Sequence, residues 1–459
     1  MKYNTLIPFV TAVLAACAPP APPNAIDPSS QVSDAATTPP QDGAAGDEVE
    51  APALTPDGTA TDTTVAATDA GGIVLDGQTL EDAATTDAVP EDAASVCIPL
   101  NATVAGSAVF GLTVLGDGTV AAVNSGPVSQ GVGEGANLHM WDGSGKPLTS
   151  QVFLGVGTGR PILVNAIPTG LLLAGIGKTT GTKKLWLVRT DPVGTKATIA
   201  VFGPSDKDWS GTAASAPDGH VCFAGTEGTP GQAGVGILAL IDPASNLVLS
   251  KSMPGLIPRA VAPMAGGKWL VWSRLAGSDA NWSQGENALQ VVGANGEAGP
   301  QVPTPGPGGP GSSAIAVGNG GVWLVRSTQP DAEAYPYIRV DYVSLGGEAL
   351  WSWQHPGAPK TGDGPRYAYG VALQGNGDVV VAGMDDPAAG LLARLDPAGK
   401  LLWSKVFPAA KAKVGLGGLT AVASTPDGGL VIGGASAIGG WVAVLNACGG
   451  FACAASCTP

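Results

Sequence analysis

The chain has 459 residues, and its 69 glycines and 39 prolines with only 13% charged residues favour short strands and tight turns over long helices. The formal net charge of −15 is unevenly spread, because residues 18–96 hold fifteen Asp or Glu and no Lys or Arg, whereas the chain from Cys97 onward is nearly neutral at −1. A neutral domain behind an acidic segment lacks the basic footprint that neutralises phosphates, which argues against nucleic acid as a partner.

The first residues predict a secretory signal. Lys2 precedes an apolar run of eleven residues over 6–16, which is too short to span a membrane. The run ends in Leu14-Ala15-Ala16-Cys17, which resembles the lipobox of bacterial lipoproteins. The resemblance implies a signal peptide over 1–16 and a lipid-modified Cys17 as membrane anchor. Because Ala18 rather than Asp follows, it also implies the outer membrane. The alternative is an ordinary signal peptide with a chance cysteine.

The segment between the apolar run and the first repeat is predicted to be a spacer. Residues 17–96 begin with the lipobox cysteine, are rich in Ala, Pro, Thr and Asp, contain no Trp, Phe or Tyr, and carry charge of one sign. Such a segment cannot bury enough apolar surface to offset the entropy lost on ordering. We therefore expect a disordered, self-repelling linker that holds the following domain away from the bilayer.

A repeated unit fills the chain after Cys97. Its clearest copy spans residues 370–407, in which GVALQGNGDVVVAG is followed by LLARLDPAGKLLWSKVF. Asn376-Gly377 supplies the positive φ of a tight hairpin, and Asp396-Pro-Ala-Gly399 fits a type I turn. Each unit therefore predicts a four-stranded antiparallel meander.

The spacing of the units predicts how they assemble. The first turn recurs seven times, at residues 117, 169, 218, 266, 319, 376 and 427, and residues 108–457 provide 50 residues per unit. We therefore predict an all-β, seven-bladed β-propeller over 97–459, in which a strand within 98–106 completes the last blade. Six or eight blades, paired β-sandwiches and a solenoid are the alternatives.

The units resemble the tandem propeller repeats common in secreted proteins of delta-proteobacteria and their relatives, and the pyrroloquinoline-quinone-type repeat. The resemblance is carried by the stretch LDPAGKLLW over 395–403 and by the Asp-Gly turn before each Val-rich strand. It implies the propeller fold and says little about function. Quinoproteins of that class typically use a vicinal cysteine pair, which this sequence lacks. We therefore expect no cofactor and no metal.

Four cysteines bracket the propeller: Cys97, Cys448, Cys453 and Cys457. In a secreted protein they predict two disulfides that fasten the first strand to the last blade, with three connectivities open. A metal site formed by the last three is the alternative, although the Cys-x₂-Cys spacing typical of zinc is missing. Cys222 is predicted to be a buried free thiol.

The histidines give no catalytic set. His139, His220 and His355 fall in a predicted third strand, a first turn and the end of a fourth strand. No G-x-S-x-G elbow or other positioned nucleophile accompanies them. We therefore expect a non-enzymatic protein.

Tryptophans divide into two predicted groups. Those in strand patterns, such as Trp186, Trp353, Trp403 and Trp441, are expected to pack between blades. Three others fall in predicted irregular loops: Trp141, Trp209 and Trp282. Loops on a rigid scaffold often carry recognition, so Trp282, Tyr335 and Tyr337, in the insertions 276–286 and 328–337, are the candidate binding residues.

These patterns favour a monomeric, membrane-anchored propeller that binds a protein or glycan ligand through one face. The first alternative is an assembly factor similar to the propeller lipoprotein of the outer-membrane protein insertion machinery. The second is a propeller enzyme, either a quinoprotein or a lyase or hydrolase with a funnel site that includes Arg259, Arg274 and Arg366.

Overall fold

The computed structural model describes residues 100–451, with gaps at 127–134, 179–180, 231, 233, 276–285, 305–312, 319, 329–335, 356–365, 387–388, 409–415 and 437–438. The predicted signal peptide, Cys17, the predicted acidic spacer and Cys97 precede the described residues, and Cys453 and Cys457 follow them. The expectations about these segments therefore stay predictions.

Strands dominate the described part of the chain. The first fourteen are β1 (Asn101–Val104), β2 (Val109–Val114), β3 (Val120–Gly126), β4 (Gly135–Trp141), β5 (Pro147–Phe153), β6 (Thr158–Ile167), β7 (Gly170–Lys178), β8 (Lys183–Thr190), β9 (Ala197–Phe202), β10 (Asp208–Ser215), β11 (Val221–Gly228), β12 (Val235–Ile241), β13 (Leu247–Met253) and β14 (Leu256–Met264). The next fourteen are β15 (Lys268–Leu275), β16 (Asn287–Val292), β17 (Ala298–Thr304), β18 (Ser313–Gly318), β19 (Gly321–Thr328), β20 (Tyr337–Ser344), β21 (Ala349–Gln354), β22 (Tyr367–Leu373), β23 (Val379–Asp386), β24 (Ala389–Leu395), β25 (Leu401–Pro408), β26 (Leu416–Ser424), β27 (Leu430–Ser436) and β28 (Gly439–Leu445). Short 3₁₀ turns lie at Leu154–Val156 and Ala265–Gly267. No helix in the described ranges is long and apolar enough to cross a membrane.

These strands form seven four-stranded antiparallel sheets, and the seven-bladed propeller is confirmed. Blades 1 to 6 are the consecutive groups β2–β5, β6–β9, β10–β13, β14–β17, β18–β21 and β22–β25. Blade 7 combines β26, β27 and β28 with β1 from the start of the domain. The first strands of successive blades contact one another in a closed cycle from β2 to β26 and back to β2. They therefore line the central axis.

Position within a blade explains the burial of each strand. All residues of β3 and β4 are buried, because the middle strands of a blade are covered on both faces by the neighbouring blades. Five of the seven residues of β13 are exposed, because the fourth strand forms the outer edge of the ring. Apolar runs therefore mark middle strands, and mixed sequences mark the outer strands.

Seven apolar clusters hold the ring together, one at each contact between adjacent blades. Trp186 of β8 lies between blades 1 and 2 and is 1% exposed, and Trp441 of β28 lies between blades 6 and 7 and is 3% exposed. The prediction that these tryptophans pack between blades is confirmed.

Local hydrogen bonds explain why the second turn recurs. In the turn at Asp396, the Oδ1 atom accepts the backbone N–H groups of Ala398 at 2.9 Å and Lys400 at 2.8 Å. Gly399 has a φ of 84°, and the strand register shifts between Arg394 and Leu395. This is a type I turn followed by a bulge, which is a common way to join two antiparallel strands.

Two tryptophans that were expected in loops lie in the core. Trp209 is in β10, is 1% exposed and stacks on Phe223 with ring centroids 5.1 Å apart. Trp141 ends β4 and is 2% exposed. The loop expectation was wrong for both, because each closes an apolar cluster at the end of a strand. Cys222 is a buried free thiol as predicted, and burial raises its pKa.

Candidate functional site

The central channel of the ring forms a large cavity. Its volume is about 1140 Å³, and residues from all seven first strands line it. The tight turns join the first to the second and the third to the fourth strand of each blade, and we call the end of the ring that carries them the turn face. The loop face is the opposite end, where the second strand connects to the third and one blade to the next.

β-bulges shape the wall of the channel. The pairing between first and second strands shifts at Phe110 in β2, Ile162 in β6, Arg259 in β14, Tyr369 in β22 and Thr420 in β26, and all five residues line the cavity. Phe110, Tyr369 and Thr420 each lie five residues before the first residue of the following turn. Ile162 and Arg259 lie five residues before the last residue of their strands. A bulge leaves its extra residue unpaired and redirects the side chain, so one blade after another turns a side chain toward the axis at a similar height.

Arg160 lies near the start of β6, close to the loop face. Its guanidinium carbon is 4.4 Å from the centre of the Phe110 ring, a cation–π contact between blades 1 and 2. Although water reaches the side chain, the surrounding channel wall lowers the pKa of Arg160 through desolvation, and Tyr369 opposes this shift. Burial also raises the pKa of Tyr369. Arg160 belongs to blade 2 and Tyr369 to blade 6, so side chains from distant blades influence each other electrostatically in the channel.

A second arginine, Arg259, lies two blades further around the ring, in β14 of blade 4. Desolvation lowers its pKa, and the positive charge of Arg274 lowers it further. Arg274 lies in β15, where it pairs with Ile257 of β14. Lys178 and Lys183, which pair across β7 and β8 at the loop face, also line the cavity. No Asp or Glu occurs among the described residues that line it.

Comparisons with known proteins concern the fold alone. No family model matches the chain, and no curated protein matches it. Among solved structures it is similar to the Dos1 propeller, at 11% identity and a TM-score of 0.48, over 75% of this chain and 93% of that one. It is also similar to Kuenenia stuttgartiensis hydrazine synthase, at 14% identity and a TM-score of 0.48, over 71% of this chain and 92% of that one.

A third similar structure is Pyrococcus horikoshii acylaminoacyl peptidase, at 10% identity and a TM-score of 0.45, over 74% of this chain and 51% of that one. At these identities and scores the similarities carry no conclusion about activity. The architecture rests on the strand pairing itself.

The structure separates the three arginines of the predicted funnel. Arg259 lines the channel, and Arg274 is close enough to influence it electrostatically. Arg366 precedes β22 and forms an ion pair with Asp385 of β23 within blade 6. Arg259 and Arg274 are therefore brought together, and Arg366 belongs to a different contact.

The candidate binding residues have different positions. Trp282 and Tyr335 lie outside the described residues. Tyr337 is the first residue of β20 and is 8% exposed, so most of its side chain is covered by the blade. A binding role for these three residues stays a prediction.

The histidines and cysteines occupy separate places. His139 is buried in β4 of blade 1, His220 is exposed in a turn of blade 3, and His355 follows β21 of blade 5. Cys448 lies in the last turn and is disulfide-bonded, but its partner falls outside the described ranges, so the two-disulfide latch stays a prediction. No group of three or more His, Cys, Asp or Glu in those ranges could hold a metal ion.

Sequence reasoning missed most of the channel. Arg259 was a candidate for a funnel site, but Arg160, Tyr369 and Thr420 were not singled out. A signal was present for two of them, because Tyr369 and Thr420 each stand five residues before the recurring first turn. Arg160 lies two residues before the bulge position of its strand, and its role depends on its neighbours across the ring.

Proposed function

We propose that this chain is a lipid-anchored, non-enzymatic propeller that binds a protein or glycan ligand at the bacterial cell envelope. The lipobox-like sequence before Cys17 supports the anchor, and the repeat stretch LDPAGKLLW supports kinship with secreted propeller proteins. The separation of His139, His220 and His355 into three blades supports a binding role rather than acid–base catalysis.

The observation that carries the binding role is the difference between the faces of the ring. Connections on the turn face have two to six residues, whereas those on the loop face have two to twelve. The longest join β21 to β22, with twelve residues, and β15 to β16, with eleven. Long connections on a rigid scaffold are where recognition residues usually occur, so we assign ligand binding to the loop face and the channel that opens there.

The anchor is tested by replacing the cysteine that would carry the lipid. We expect the full-length chain to incorporate a palmitate analogue in growing cells and to sediment with membranes. Cys17→Ser should abolish the label and leave the chain unprocessed or soluble, because acyl chains supply most of the membrane affinity. Labelling and membrane fractionation of the two proteins measure this directly.

Ala18→Ser is the matched control, since it changes the neighbouring residue and keeps the cysteine. A label that persists in Cys17→Ser, or an unlabelled native chain, would contradict the anchor. Protease treatment of intact cells then separates the surface scaffold from the assembly-factor alternative, because an assembly factor must face the periplasm and resist digestion.

A further inference from the structure

Several positively charged side chains line the loop-face half of the channel. Arg160, Lys178 and Lys183 stand at or near the mouth, and Arg259 projects from the bulge of β14 deeper in the wall. The described contacts of Arg160 are the Phe110 ring and the electrostatic interaction with Tyr369, and none is a carboxylate. Cations collected in a cleft with protein walls focus the electrostatic field and attract anions.

The channel wall strengthens the interaction between Arg160 and a bound anion. A guanidinium held inside the channel has lost part of its hydration, and an oxyanion that reaches it restores the lost interactions with charge-assisted hydrogen bonds. The planar fork of arginine suits the paired oxygens of a carboxylate or phosphate better than a point charge does. Arg160 therefore favours a ligand with an oxyanion group over a neutral one.

The rest of the wall suits a hydroxylated ligand body. Ser210 and Thr212 of β10 line the cavity, and Tyr369 adds a phenolic hydroxyl opposite Arg160. The volume of about 1140 Å³ is slightly larger than that of typical small-molecule sites, which hold about 300–1,000 Å³. A sugar unit or a short oligosaccharide fits such a space, whereas a folded protein does not.

We infer that the loop-face half of the channel, built around Arg160, Arg259, Thr212 and Tyr369, binds a sugar that carries an oxyanion, either a carboxylate or a phosphate. The inference rests on the proposed binding role and narrows its ligand to an acidic glycan component. It does not depend on the membrane anchor.

The test is calorimetric titration of the purified full-length chain in detergent at low ionic strength, with glucuronate, glucose 6-phosphate, inorganic phosphate and glucose as probes. We expect saturable binding of glucuronate or glucose 6-phosphate and none of glucose. Arg160→Met, which removes the charge at similar length, should weaken binding about tenfold or more, in line with loss of one charge-assisted fork. Binding of glucuronate alone identifies a carboxylate ligand, and binding of both phosphates identifies a phosphate ligand.

Lys196→Met is the matched control, because Lys196 is an exposed cation in the turn between β8 and β9 on the turn face. It should leave the titration unchanged. A melting temperature close to that of the native chain verifies the fold of Arg160→Met, and Arg259→Met serves as the second channel variant if that fold is lost.

Three results would overturn the inference: no acidic probe binding at about 10 mM, glucose binding equally well, or the same loss in Lys196→Met as in Arg160→Met. These outcomes are independent of the anchor. If the acidic probes fail while palmitate labelling persists, the channel inference falls and the anchoring stands. If labelling fails and glucuronate binds, the anchor falls and the channel site stands.

Discussion

At the scale of single residues, the burial of His139 should make the stability of the ring depend on pH. His139 lies in β4, is 6% exposed, and its Nδ1 is 3.0 Å from the Ser150 hydroxyl. Its Nε2 is buried and has no hydrogen-bond partner within the described chain. Desolvation lowers the pKa of His139 to about 4 from 6.5. The folded ring therefore holds this imidazole neutral.

The consequence is a loss of stability in mild acid. Below pH 6.5 the unfolded chain binds a proton at this position that the folded chain does not bind until about pH 4, so the free energy of unfolding falls across this window as the pH is lowered. The pKa difference corresponds to about 3 kcal/mol. His139→Gln, which cannot titrate, should lose less stability between pH 7 and pH 4, as measured by urea unfolding at several pH values.

His220→Gln is the control for this measurement, because His220 is half-exposed in a turn, where its Nδ1 lies 3.0 Å from a carboxylate oxygen of the exposed Asp218. It should retain the pH dependence of the native chain. Equal pH dependence in the native chain and His139→Gln would show that burial of His139 does not contribute to acid sensitivity.

At the scale of elements, two arginines connect the third strand of one blade to a turn of the next. Arg189 of β8 donates to the Ser245 hydroxyl at 2.8 Å and to the carbonyl oxygens of Gly219 and Asp242 at 3.0 and 2.9 Å. Arg394 of β24 takes the matching place in blade 6 and donates to the carbonyl oxygen of Ala447 at 2.6 Å.

The two differ in one partner. Arg394 also forms an ion pair with Asp378, whose side chain is 6% exposed, at 2.6 Å. Arg394→Met would leave that carboxylate buried without its cation, which typically costs about 3–5 kcal/mol. Arg189→Met would leave only a hydroxyl group and two carbonyl groups without their hydrogen-bond donor, which costs about 1–3 kcal/mol. We expect the melting temperature to fall further in Arg394→Met than in Arg189→Met.

Arg394→Met combined with Asp378→Asn provides the check on this reasoning. Because Asp378→Asn removes the unpaired buried charge, the double variant should recover part of the melting temperature that Arg394→Met loses. If the double variant is as unstable as the sum of its single variants, the buried charge is not the cause of the difference between the two arginines.

At the scale of the whole molecule, β1 completes the last blade and so contributes to closing the ring. It pairs with β28 in antiparallel register, Ala102 opposite Val442 and Thr103 opposite Trp441. The Val444 N–H donates to the Leu100 oxygen at 2.9 Å, so alternation places Ala102 at a hydrogen-bonded position and Thr103 at an outward-facing one. The pairing of β1 with β28 thus uses the N–H groups of alternate residues in a strand of four.

Proline substitutions test this closure. Ala102→Pro removes a ladder hydrogen bond and should cost about 1–3 kcal/mol, because a carbonyl partner is left unsatisfied. Thr103→Pro, one residue away, removes only an N–H that faces away from the sheet and should cost much less. Differential scanning calorimetry of the two variants measures the contrast. A similar drop in melting temperature for both would indicate that β1 contributes through its side chains alone.

Much of the fold could be predicted from the sequence, because its signals are local. Each turn is specified by an Asp, Asn or Gly at a fixed place, as at Asp396 and Gly399, and each middle strand by an apolar run. The loop positions predicted for Trp141 and Trp209 were wrong, because local polarity around an indole does not reveal that a neighbouring blade covers it.

The sequence by itself therefore determined the number of blades, their strands and the closing segment, since period, turn chemistry and apolar runs are all encoded within one unit. Only the tertiary structure decided what lines the channel. Arg160 and Tyr369 stand more than 200 residues apart in the chain, and both line the channel because the ring closes and because a bulge redirects Tyr369. The residue types at those positions predict neither the geometry of ring closure nor a shift of one residue in strand register.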